Sequence, residues 1–200
     1  MGVRGMLFFF YGTLMDRELR QHVLGARAQG LRVTPGVLIH HRRFAARYGD
    51  YPVLVPELNG RVSGVFVEGM DAHALTWIAH FEGPWYLPQR VTAFDERRQR
   101  LRPWAFRPTH RDAATREPWN FRRWQRTGKP EVREMLNTWL MHRSDGLPIA
   151  LDTPWLARRR LQDVIHQGVD QPRPNVHLDR RAIADAGLDE GDDRMTTAAA

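Results

Sequence analysis

The chain has 200 residues, 42% hydrophobic and 10% aromatic, the profile of a folded globular protein with a sizeable core. It contains no cysteine, which excludes disulfides, thiolate metal sites and cysteine nucleophiles. Formal net charge is +7, and Lys129 is the only lysine among its 30 basic residues, a bias that genome composition can produce as readily as function.

The first apolar run, Met6 to Phe10, is too short for a secretory core or a membrane span, so a soluble, unprocessed cytoplasmic protein is expected. Leu7 to Tyr11 reads as a buried strand ended by Gly12. Asp16 to Ala28 has helical spacing, with Leu19 and Val23 on one side and Arg17, Arg20 and Arg27 mainly on the other; Gly30 closes it. Val37 to Phe44 predicts a second strand and Tyr51 to Val55 an extended piece. Asn59-Gly60 is a strong turn signal and predicts a hairpin into a strand carrying Val62, Val65 and Val67. Asp71 is placed to cap a helix that runs to Phe81 with Ala74, Leu75, Ile78 and Phe81 inward, ended by Gly83-Pro84. Val91 to Phe94 and Leu101 to Phe106 predict two further strands.

From Phe106 to Pro130 the chain is basic, aromatic and without clear periodicity. Between Arg97 and Arg126, 10 arginines stand against Asp112 and Glu117. Such a stretch can bind nucleic acid by phosphate contacts and base stacking. It can equally be a long connection whose tryptophans pack on a sheet while the arginines stay in water. No nucleic-acid module pattern accompanies the charge, which favours the connection. A helix from about Pro130 to His142 follows, with Val132, Met135, Leu136, Trp139 and Leu140 on its apolar face. Trp155 to Gln167 predicts a second, more basic helix. The organisation expected is one domain over 1–170, with the core motifs in 6–106 and a helical extension over 107–170. A polar tail over 171–200 is expected to be partly disordered.

Two places could carry chemistry. The first is the turn Tyr11-Gly12-Thr13-Leu14, where a strand ends at a glycine and a helix begins a few residues later. Backbone amides exposed there could hold an anion, though an ordinary turn has the same pattern. The second is Glu82, between Phe81 and Gly83 at the end of an apolar helix. Partial desolvation there would raise its pKa and suit it to general-base work, whereas full hydration would leave it an ordinary helix-terminal glutamate. Tyr86 could hydrogen-bond a substrate or serve as a core aromatic. The histidines lack metal-ligand spacing, and neither Ser63 nor Ser144 sits in a nucleophile elbow, so neither metal nor serine-hydrolase chemistry is expected.

Phe10 through Met15, Gly36, Tyr51-Pro52, Gly64, and Phe81-Glu82-Gly83 with Tyr86, in this order, resemble the gamma-glutamylcyclotransferase-like family, which includes AIG2-like proteins and gamma-glutamylamine cyclotransferases. The resemblance spans about residues 6 to 106. It implies an α+β fold, a mixed sheet forming a small, partly closed barrel with flanking helices. It also implies cleavage of a gamma-glutamyl amide by intramolecular cyclisation, releasing 5-oxoproline and an amine or peptide. In that pattern Glu82 is the catalytic acid/base; Tyr11, Gly12, Thr13, Leu14 and Tyr86 bind a small gamma-glutamyl substrate. No cofactor, metal or membrane is implied. Leu87-Pro88-Gln89 stands before Arg90 where members often carry an arginine sooner, so the pocket rim is expected to differ. The rival from another class is a non-catalytic protein that keeps the fold and binds nucleic acid or an acidic partner through its arginine-rich segment.

Overall fold

The computed structural model describes residues 6–83, 85–109 and 113–141. The helix expected over 155–167 and the polar tail lie outside them. Among the described residues, eight strands and four α-helices follow in the order β1 (Met6–Phe10), α1 (Arg17–Leu24), β2 (Arg32–Ala46), β3 (Gly49–Met70), α2 (Ala72–Glu82), β4 (Tyr86–Arg90), β5 (Ala93–Asp95), β6 (Arg100–Leu101), β7 (Trp104–Pro108), β8 (Ala114–Pro118), α3 (Phe121–Thr127) and α4 (Lys129–Met141). The strands form one mixed sheet in the order β4-β7-β1-β3-β2-β5-β6, with β8 added to β2. The sheet is curled into a partly closed barrel flanked by helices, the α+β architecture expected. Among the described residues no helix is long and apolar enough to cross a membrane.

β1 sits centrally, antiparallel to β3 and parallel to β7. Its five residues are apolar because both faces are covered. Strand alternation sends Phe8 and Phe10 to the helix side, where they meet Leu19, Val23, Leu75, Ile78 and Trp124. Phe9 and Tyr11 turn the other way, into a second core with Leu38, Leu54, Val62, Phe66 and Ala105. Phe9 packs edge-on against Phe66 at 5.2 Å between centroids, and Phe8 stacks on Phe106 at 5.8 Å.

β2 and β3 form a long bent hairpin that turns at Arg47-Tyr48. The hairpin expected at Asn59-Gly60 is therefore absent. Those residues sit inside β3 at an irregularity, where the register passes from Ile39↔Arg61 to His41↔Pro56. His40 and Asn59 both take positive φ there, 59° and 64°, so the turn chemistry of asparagine is used to bend a strand rather than to reverse it. The bend lets one end of β2 pair with β5 and the other with β8. It also means that His40 and His41 do not alternate as in a regular strand.

The helix begun at Asp16 is shorter than its spacing suggested. Asp16 caps it by accepting from the Leu19 amide at 3.0 Å, but Gly25 at φ 59° stops it at Leu24, and a 3-10 segment runs on to Gly30. Asp71 caps α2 as expected, accepting from the Ala74 amide at 2.6 Å, and Gly83 at φ 75° ends it. Residues 113–130, read as a connection, hold β8 and α3. Trp119 and Trp124 are buried under them while Arg122, Arg123 and Arg126 are exposed. The segment combines the burial expected of a connection with secondary structure that its periodicity did not reveal.

Strand packing is tight at Gly64. A Cβ there would lie 2.5 Å from the Phe10 carbonyl oxygen and 2.5 Å from the Phe9 ring, both fixed in the core. We expect Gly64→Ala to destabilise the protein by about 1–3 kcal/mol, read as a fall of several degrees in thermal midpoint. An unchanged midpoint would show that β1 and β3 have slack at this crossing.

Candidate functional site

β1 ends at Phe10, and the next five residues make a tight turn: Tyr11 and Gly12, then a single 3-10 turn over Thr13–Met15. The Met15 amide donates to the Gly12 carbonyl at 2.9 Å and the Asp16 amide to the Thr13 carbonyl at 3.0 Å. The other carbonyls are taken by two arginines. Arg43 Nη1, from β2, donates to the Tyr11 carbonyl at 2.8 Å and the Ser63 carbonyl at 3.2 Å, with its guanidinium 5.2 Å from the centre of the Trp119 ring. Arg20 Nη1 donates to the carbonyls of Leu14 at 2.7 Å and Met15 at 2.6 Å. The amides of Gly12, Thr13 and Leu14 have no acceptor among the described residues.

Sequence spacing had put Arg20 on the outer face of its helix; it is 6% exposed, its guanidinium folded back under the turn. Arg43 was missed because an arginine inside a strand reads as solvent-facing. Burial pushes its pKa down to about 10, which leaves it charged at neutral pH.

α3 and α4 brace the turn from outside. Asp16 Oδ2 accepts from Gln125 Nε2 and from Lys129 Nζ, each at 3.0 Å. Burial of Asp16 opposes its ionisation, but hydrogen bonds from Gln125, the Leu19 amide and Lys129 outweigh that and hold its carboxyl below the usual range. The chain's single lysine thus ties α4 to the start of α1, and it also reaches Glu18 at 2.8 Å.

Opposite the turn, α2 ends at Glu82. Its side chain is only half-buried, yet protein surrounds the carboxyl closely enough that lost hydration pushes the pKa up to about 8. Glu82 makes no hydrogen bond or ion pair to another described residue. Tyr11 and Tyr86 flank it. The Tyr11 hydroxyl donates to the Phe106 carbonyl at 2.5 Å and the Tyr86 hydroxyl to the Pro52 carbonyl at 3.0 Å. Burial, and secondarily each other's charge and that of Glu82, raise the Tyr11 phenol well above its ordinary range. Burial and then Glu82 do the same for Tyr86. Both phenols are therefore neutral donors.

Pro52 joins the two halves. It carries the carbonyl that fixes Tyr86, and its ring leaves no room for a side chain at Gly12, where a Cβ would lie 2.8 Å from Pro52 Cγ. One cavity of about 1100 Å³ is lined by Tyr11, Gly12, Thr13, Leu14, Glu82 and Tyr86 together. All six residues singled out in the sequence thus meet around one space, although the turn and Glu82 are about seventy positions apart. The wall also takes in the β2–β3 hairpin tip, Trp85 and α4, which sequence reasoning did not place there, together with apolar residues of β1 and β7.

Glu82, with a pKa raised by burial, thus lines one cavity with a turn whose Gly12, Thr13 and Leu14 amides have no acceptor among the described residues. A family model described as gamma-glutamyl cyclotransferase, AIG2-like, matches residues 8–126, and the chain belongs to that family. Its kind of chemistry is that of a cyclotransferase. Two solved structures share the fold, both solution structures from Arabidopsis thaliana. At5g39720.1 is 21% identical at a TM-score of 0.50, covering 68% of this chain and 91% of that one. At3g28950.1 is 19% identical at 0.51, covering 68% and 82%. No curated protein matches the chain.

The raised pKa of Glu82 carries a stability cost with a definite sign. The folded state holds a proton that the unfolded chain releases near pH 4.5, so stability falls as pH rises from there through about 8. Glu82→Gln keeps the shape without the ionisation. Its thermal midpoint should exceed that of the parent by about 2 °C or more at pH 9 and by less at pH 5. A difference independent of pH would place the carboxyl in water.

Proposed function

We propose that the protein cleaves a gamma-glutamyl amide by attack of the substrate's own α-amine on its side-chain carbonyl, releasing 5-oxoproline and the amine or peptide of the amide, with Glu82 as the acid/base. The observation that carries this reading is the convergence of Glu82 with the Tyr11–Leu14 turn around one cavity.

The α-amine arrives as an ammonium and must lose a proton before it can attack. A carboxylate with a pKa of about 8 is nearly matched to it, so the transfer costs little. Nitrogen then bonds to the side-chain carbonyl carbon and closes a five-membered ring, while negative charge gathers on the oxygen. The free amides of Gly12, Thr13 and Leu14 are suited to hold that oxygen or the α-carboxylate. As the amide C–N bond breaks, Glu82 returns its proton to the departing nitrogen and then takes the second proton that the ring nitrogen must shed, passing it to the released amine, which leaves as an ammonium ion. Nucleophile and carbonyl belong to one molecule, and the remaining barrier is largely conformational. Holding the glutamyl chain curled is worth up to about 7–11 kcal/mol in favourable cases. Tyr11 and Tyr86, kept neutral by burial, border the space where that chain would curl.

Incubation with a panel of gamma-glutamyl amides should yield 5-oxoproline in equal amount to the released amine. Glutamate in place of 5-oxoproline would mean hydrolysis by water, and no turnover of any amide would remove the substrate class.

Below pH 8 the carboxyl of the free enzyme is protonated and cannot accept the amine's proton, so kcat/KM should rise with pH through a midpoint near 8. Glu82→Gln should lower kcat/KM by about a hundredfold or more and abolish that limb, with folding intact by circular dichroism. An active variant with the parent's pH profile would overturn the role of Glu82.

A further inference from the structure

The cavity is larger than a glutamyl group requires. At about 1100 Å³ it lies at the top of the ~300–1,000 Å³ span of sites that enclose drug-sized ligands. Glu82 and the turn occupy its inner end; the outer end is a mouth between the β2–β3 hairpin tip, Trp85 and α4. Exposed apolar side chains are concentrated there. The described residues include 6 large exposed hydrophobics, and 4 of them, Tyr48, Tyr51, Trp85 and Met135, line this one cavity. Tyr48 is 84% exposed and Trp85 63%, so neither contributes much to the core. Exposed aromatics gathered on one concave surface mark a binding site rather than chance exposure.

The charged residues at the mouth constrain what binds. Asp50 and Glu131 stand there against Arg47, the only lysine or arginine among the described residues that line the cavity. Two carboxylates to one guanidinium disfavour a ligand that brings a further carboxylate. We infer that the mouth is a leaving-group subsite for an arylalkyl amine: the substrate is the gamma-glutamyl amide of an amine with an aromatic body and no carboxylate. The inference rests on the cyclotransferase reading and adds the half of the substrate which that reading leaves open. The ring of the amine stacks among Tyr48, Tyr51 and Trp85, with Met135 closing the side toward α4. When the amide C–N bond breaks, the amine takes the proton from Glu82 and leaves through this mouth.

The test is kcat/KM of the full chain on three substrates, gamma-glutamyl-phenethylamide, gamma-glutamyl-ethylamide and gamma-glutamyl-phenylalanine, repeated with Tyr48→Ala and Trp85→Ala. Both side chains are exposed, so the variants should fold. The phenethylamide should exceed the ethylamide by tenfold or more and should exceed gamma-glutamyl-phenylalanine. Each variant should cut the phenethyl-to-ethyl ratio at least threefold. Turnover with a ratio near one, or a ratio indifferent to both variants, would overturn the subsite while leaving the cyclotransferase reading in place. Preference for gamma-glutamyl-phenylalanine would overturn the choice of an amine. No 5-oxoproline from any of the three would overturn the cyclotransferase reading, and the subsite with it.

Discussion

Two guanidinium groups take the carbonyls of the turn after β1, and the rest of the site depends on this. A chain reversing within five residues leaves both amides and carbonyls without secondary-structure partners, and buried ones must be satisfied. Here Arg43 takes the carbonyl of Tyr11 and Arg20 those of Leu14 and Met15. With these carbonyls fixed, the amides of Gly12, Thr13 and Leu14, residues that line the cavity, have no acceptor among the described residues. Each arginine bridges two carbonyls through one nitrogen, Nη1, and the flat guanidinium of Arg43 also lies over Trp119, a stacking contact that lysine would not reproduce. Asp16 completes the frame by capping α1 and receiving Gln125 and Lys129, so α3 and α4 report on the same turn.

Against this rigid, donor-rich wall stands a carboxyl that has been denied partners. A structural glutamate at a helix C-terminus would ordinarily find water or an arginine, and the chain has arginine in abundance. Glu82 finds neither an ion pair nor a hydrogen bond among the described residues, and its raised pKa follows from that isolation. The nearby phenols are committed to backbone carbonyls, Tyr11 to Phe106 and Tyr86 to Pro52, so neither donates to the carboxyl in this arrangement. Desolvation without compensation destabilises the folded state, and active sites are where such local costs are tolerated.

How much of this was legible in the sequence differs by interaction range. Strand β1 and helix α2 announce themselves through local signals, an aromatic run before Gly12 and an Asp71 cap followed by inward Ala74, Leu75 and Ile78. The six site residues stood out because the turn and the Glu82-Gly83 pair occur together. What stayed hidden depends on distant contacts. Asn59-Gly60 has the composition of a hairpin turn, and only the pairing of β2 with β3 on both sides of it makes it a bend. Arg20 and Arg43 look like surface charges because their partners are backbone carbonyls, which have no sequence signature. β8 carries Ala114 to Pro118, whose strand character comes from hydrogen bonding to β2 rather than from its own propensity.

The distribution of aromatic side chains separates the two readings of the basic segment. Stacking on bases requires exposed rings near the phosphate-binding cations. Yet Trp104, Trp119 and Trp124 are 6%, 5% and 0% exposed, held in the core while Arg122, Arg123 and Arg126 remain in water. Among the described residues the segment therefore offers arginines to water and keeps its tryptophans in the core. The exposed rings are elsewhere. Trp77 is buried as well, which leaves Trp85 as the exposed tryptophan among those whose side chains are described, and it stands beside Tyr48 and Tyr51 over the cavity that holds Glu82. Burying an indole is among the larger hydrophobic gains open to a side chain. The fold buries its other described tryptophans and leaves this one 63% exposed on the wall of the cavity that Glu82 also lines.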